Sequence, residues 1–204
     1  MQEQSWWLTD AAQSQRSFPY TFFKPSRATS DTLKVGDQVK LIFEFDNPDP
    51  DGWSAERMWV TITGRDGDRF QGVLDNEPAQ LTGLVLGDPV EFEERHIIQT
   101  SIEESGPNVV NRYRARCFVT RRVLYDGELA GYLYREEAEQ EDDSGWRIMA
   151  GDEDEAYMDE ADNIFYVSLG AVLNCDDSFV HLLDAAVESR FERNPETGGF
   201  EALQ

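Results

Sequence analysis

A chain of 204 residues with 40% apolar and 12% aromatic side chains has enough apolar surface to build a core, and its length suits one large domain or two small ones. Two compact units are expected. Eighteen basic against 41 acidic residues give a formal charge of -23, a field that repels nucleic-acid phosphates and anionic membranes while attracting basic partners. Neither nucleic acid nor membrane is therefore an expected partner.

Lysine occurs only at Lys24, Lys34 and Lys40, so cationic contacts further along the chain fall to arginine, whose planar fork suits fixed carboxylate pairing. Cys117 and Cys175 lie far apart without a CxxC pairing and have apolar neighbours, which reads as two buried free thiols. The opening MQEQSWWLTD has no basic region followed by an apolar core, and no stretch approaches the roughly 18 uncharged apolar residues of a membrane span. A reducing cytoplasm is the expected compartment.

Residues 1–32 read as an aromatic N-terminal arm interrupted by Pro19 and Pro25, with a short helix near 6–15. From Leu33 the period changes to two. DQVKLIFEF (37–45) alternates as a half-buried strand, DNPDPDG (46–52) is turn chemistry, and ERMWVTITGRDGDRFQGVLD reads as a hairpin turning at Arg65–Asp68. GDPVEFEERHII (87–98) supplies a further strand and a short final one. Closely spaced strands with Gly-rich connections predict a small barrel or bent sheet over 33–108. The boundary falls in SIEESGPNVVNRYR, around Gly106 and Pro107.

The second half, 109–204, reads as a mixed α+β domain, and the whole chain as α+β. ARCFVTRRVLYDG (115–127) predicts a strand turning at Asp126-Gly127 into a hairpin with LAGYLYREE (129–137). EAEQEDDSG is an acidic loop, GWRIMAGDE a buried strand ending at Gly151, and the tract around Ala156, Tyr157 and Glu160 a short helix. NIFYVSL is a strand whose Ser168 is placed to cap a helix over LGAVLNCDD. FVHLLDA is a last apolar patch before a Gly-rich tail expected to fray.

Between Glu136 and Asp162 thirteen acids face the single base Arg147, net -12 in 27 residues. Such a run is compatible with a solvated face, with a docking surface for a basic protein, or with an irregular cation site. The EF-hand version of the last fails, because counting from Asp152 puts Ala156 at position five and Tyr157 at position six, where a carboxylate and a glycine are required. Catalytic chemistry is thinly represented. His96 and His181 stand apart from any nucleophile motif, and His181, in an apolar patch, reads as a core histidine. Asp176 and Asp177 disfavour the Cys175 thiolate, the cysteines and histidines lack zinc-ligand spacing, and Gly64 and Gly67 lack the Lys-Ser or Lys-Thr of a phosphate loop. No cofactor, no metal and no enzymatic activity are expected.

Two resemblances add to this reading. ERMWV, GVLDNEP and GDPVEFEERHI, within roughly 33–100, resemble a bacterial domain of unknown function numbered 2314, a likeness that brings no catalytic residues. GYLYREE, SGWRIMAGDEDEAYMD, NIFYVSLGAVLNCD and LLDA with RFER, spanning roughly 115–193, resemble the bacterial immunity protein 33 family, also catalogued as domain of unknown function 2185. That second resemblance implies a cytoplasmic, non-enzymatic immunity protein that binds and blocks a cognate toxin, a polymorphic or secretion-system effector of interbacterial competition such as a type VI effector. An acidic surface complements a basic toxin. The expected contact face is Trp146, Arg147, Asp152, Glu153, Asp154, Glu155, Tyr157, Met158 and Asp159. Against this stands the reading of Trp146, Met149 and Tyr157 as core, and, for the protein as a whole, a metal- or ligand-binding regulatory module without a toxin partner.

Overall fold

The computed structural model describes residues 5–47, 52–104 and 106–203. Most of the turn expected at 46–52 lies outside the described residues. The chain divides into two compact units, one comprising residues up to Ser17 with Phe22–Pro107, the other Phe18–Thr21 with the chain from Asn108 onward.

The first unit is a single curled sheet. Strands β1 (Trp6–Leu8), β2 (Gln38–Phe45), β3 (Ala55–Asp66), β4 (Arg69–Leu74) and β5 (Pro89–Glu93) are hydrogen-bonded in that order, with helices α1 (Ala11–Ser17) and α2 (Arg27–Thr32) between β1 and β2. After β5 a tight turn returns the chain to the other end of the sheet, where β6 (Gln99–Thr100) pairs with β2, so the sheet is nearly closed into a barrel. The alternation in β2 and β3 puts Val39, Leu41, Phe43, Met58, Val60 and Ile62 inside with Phe70, Leu74, Val90 and Phe92. The hairpin expected between 57 and 75 is present, with Gly67 at φ +60° in its turn and a bulge between Ile62 and Gly64. The helix expected near 6–15 begins later, at Ala11, because Trp6 and Leu8 are extended partners of Phe45 and Phe43. Trp6 packs against Phe43 with ring centroids 5.3 Å apart, whereas Trp7 and Phe18 are exposed.

The second unit is a mixed sheet. Its elements are α3 (Val109–Arg112), β7 (Arg116–Thr120), α4 (Arg121–Leu124), β8 (Tyr132–Arg135), β9 (Asp143–Met149), α5 (Glu155–Met158), β10 (Ile164–Ser168), α6 (Leu169–Leu173), β11 (Arg190–Arg193) and β12 (Phe200–Ala202). The strand order is β10-β7-β9-β8-β11-β12, with β7 and β9 parallel and the other pairs antiparallel. Ser168 caps α6 as expected, accepting the Ala171 N–H at 3.2 Å.

Three expectations for this unit are overturned. Strands β7 and β8 form no hairpin: Arg121–Leu124 make a helical turn that buries Val123, and β9 lies between the two strands. The tail is not frayed. Arg193 ties it down by donating to the Ala130 and Gly198 carbonyls and to the buried Asp176 carboxylate, while its guanidinium lies over Phe200 and β12 pairs with β11. Cys175 and His181 are exposed, because the residues their turns send inward are Leu173, Phe179 and Leu183. Cys117 is buried as expected, and burial first, then Asp143, pushes its thiol up to about 12.

Candidate functional site

Strand β9 is the spine of the second unit, and its alternation sorts the SGWRIM residues onto two faces. Trp146 and Ile148 point into the core with Cys117, Val119, Leu133 and the α4 and α6 side chains Val123, Leu169, Val172 and Leu173. The Trp146 indole is 1% exposed and its Nε1–H donates to the Leu183 carbonyl at 3.3 Å, which satisfies the polar end of a large buried ring. Trp146 is therefore a core residue, the alternative that the sequence also offers for it, and is not exposed as a surface anchor.

Arg147 and Met149 take the opposite face. Arg147 is also buried, its guanidinium held bidentately by Asp143 at 3.0 Å and 3.0 Å and further engaged by Glu136 at 2.7 Å and Glu139 at 3.3 Å. It lies over the Phe118 ring at 4.7 Å. Arg147, expected on the contact face, thus has its hydrogen-bonding capacity taken up within the unit. Burial opposes charge on both partners, yet the hydrogen bonds between them prevail: the Asp143 carboxyl stays below its ordinary range and the Arg147 guanidinium is held above its own. The Glu139 and Gly145 N–H groups also donate to Asp143.

Two residues four apart on a straight strand are about 13 Å apart, too far for this pair. A break in the strand solves the problem. Arg116 pairs with Asp143 and Phe118 with Arg147, two residues on β7 against four on β9, and Gly145 in the bulge has φ +80°. The bulge folds Asp143 back onto Arg147.

The outer face is ordered by register. Tyr166, Phe118, Arg147, Tyr134 and Arg190 form one row across β10, β7, β9, β8 and β11. Above it lies a groove of about 300 Å³ walled by Phe118, Tyr134, Met149, Met158 and Ile164, with Glu136 and Glu139 at its edge. Sequence reasoning identified Arg147 and Met158 of this groove but missed Phe118, Tyr134 and Ile164. The available signal was the set of apolar residues at the outward positions of alternating strands.

The acidic residues expected as a contact face divide into two groups. Glu153 is structural: it accepts from the Thr120 hydroxyl at 2.6 Å and the Ala150 and Gly151 N–H groups at 2.8 and 2.7 Å, and those bonds outweigh its burial to hold its carboxyl low. Asp154 caps α5 by accepting the Tyr157 N–H at 2.8 Å, and Asp152 pairs with Arg122, whose guanidinium stacks over the half-buried Tyr157. Glu155 and Asp159 are exposed, as are Glu160 and Asp162, and among the described residues none of these four is in an ion pair. Among the described residues no three His, Cys, Asp or Glu side chains are grouped to hold a metal, and no helix is long and apolar enough to cross a membrane.

These features define a two-unit α+β protein whose second unit fills one face of its sheet with core and leaves a groove on the other. Residues 2–107, just over half the chain, match a family described as an uncharacterized protein conserved in bacteria (DUF2314), and the chain belongs to it. Residues 117–204, from β7 to the end of the chain, match a family described as the immunity protein Imm33 domain. The second match runs through the β11–β12 hairpin. No curated protein and no solved structure matches the chain.

Proposed function

We propose that the protein is a non-enzymatic immunity protein that binds a cognate antibacterial toxin in the cytoplasm and occludes it. The observation that carries this reading is the immunity protein Imm33 domain over 117–204. The charge of -23 supports a basic toxin, because complementary fields speed encounter and suppress wrong partners. A toxin delivered by a competing cell through a secretion system, type VI or another, is the matching threat.

The test is expression of the reading frame immediately upstream of this gene, alone and together with the full chain. Growth arrest by that product alone, relieved by co-expression, is the expected result. Persistence of the arrest at high levels of folded protein overturns the reading.

A further inference from the structure

The grooved face of the second sheet contains chemistry that its own packing does not use. Asp143 neutralises Arg147 bidentately, yet Glu136 and Glu139 also bond the same guanidinium. Three carboxylates around one cation leave two surplus negative charges at the rim of an apolar groove. Each glutamate accepts from Arg147 through Oε1, and among the described residues neither Oε2 has a hydrogen-bond donor. The two side chains are 45% and 66% exposed, so those oxygens are available to an incoming donor.

The neighbouring groove walls suit the rest of such a donor. Tyr134 and Phe118 line the groove together with the two carboxylates, apolar surface that suits the aliphatic stem of a cationic side chain. Met149 and Met158 add polarizable, adaptable side chains that accommodate an apolar neighbour on the same segment. The core-facing side of this sheet is already filled by Trp146, Ile148 and the α4 and α6 side chains, which leaves the Arg147 face as the docking face.

We infer that this groove is the toxin-contact surface, and that it receives an arginine or lysine side chain of the toxin, set in an apolar segment, between Glu136 and Glu139. The inference rests on the immunity reading above. It moves the contact from the acidic α5 turn to the sheet face beside it, with Arg147 and Met158 shared by both.

The four methionines make the test readable, since methyl-labelled methionine gives few signals and Met58, buried in the first unit's core, is an internal control. The probe is the purified product of the upstream reading frame, in a form inactivated for expression, added to the labelled full chain. Complex formation is followed by gel filtration and by calorimetry. The expected result is a complex in which the Met149 and Met158 methyl signals move and Met58 does not, and in which E136Q/E139Q binds at least tenfold more weakly with an unchanged thermal midpoint. A complex that leaves Met149 and Met158 unmoved, or that E136Q/E139Q forms with wild-type affinity, overturns the inference while the immunity reading stands. Absence of any complex with the wild-type chain overturns both.

Discussion

Arg147 sits where an unpaired charge is untenable, and the pair it forms with Asp143 sets the chemistry around it. Removing one member of a buried ion pair costs about 3–5 kcal/mol because the other is left without compensation. R147M keeps an apolar side chain beside Phe118 but removes the guanidinium that lies over its ring and strands the Asp143 carboxylate, so urea unfolding at neutral pH is expected to show a loss of that size. The pH dependence follows from the direction of the shift. In the native protein the Asp143 carboxyl is held low, so its stabilisation is whole above the ordinary aspartate value and drains away as pH falls toward the depressed one. In R147M burial is left without its chief counterweight and favours the protonated acid, so the gap between variant and wild type narrows on acidification. A gap that stays constant with pH would mean that Asp143 does not feel Arg147. Nothing in the sequence announced this pair. GWRIM reads correctly as a buried strand, but an arginine in an acidic neighbourhood reads equally well as a surface group, and only the bulge brings Asp143 within reach.

That bulge depends on glycine at the level of the element. A Cβ at Gly145 would lie 2.2 Å from the Glu136 carbonyl oxygen, and the position already requires φ +80°. G145A therefore strains the backbone and drives apart β8 and β9, where the Gly145 carbonyl accepts the Glu136 N–H at 2.9 Å. A loss of about 2–4 kcal/mol by urea unfolding is expected, well beyond what an exposed Gly-to-Ala change does. A neutral effect would show that the bulge relaxes freely. Elements whose pattern is local were legible: β2, the β3–β4 hairpin, β9, β10 and the Ser168 cap all follow from alternation, turn residues and capping chemistry within a few residues. The element order was not. A strand at 116–120 followed by Asp126-Gly127 and a second strand has every local mark of a hairpin, and what prevents it is β9, a later segment that takes the place beside β7. The tail was misread for the same reason, because Asp176 and Ala130, which anchor Arg193, are distant in sequence.

At the scale of the molecule the excess of acid acts through its field, and the structure separates the carboxylates that hold the fold from those that only contribute charge. Reversal at Asp152, Glu153 or Asp154 would remove an arginine pair, a turn or a helix cap along with the charge, so any loss of binding would be ambiguous. Glu155, Asp159, Glu160 and Asp162 are exposed and, among the described residues, outside any ion pair, which makes their joint replacement by lysine a cleaner probe of the field. Steering acts on encounter rather than on the fitted contact, so the fourfold variant is expected to associate with the toxin about tenfold more slowly at low salt while dissociating at nearly the wild-type rate. The difference should shrink as salt shortens the Debye length from roughly 10 Å at 0.1 M to about 3 Å at 1 M. Stopped-flow association at several salt concentrations reads both quantities. If the loss falls instead on the dissociation rate and persists in high salt, these four acids touch the toxin directly and the contact surface extends from the sheet groove onto the α5 turn.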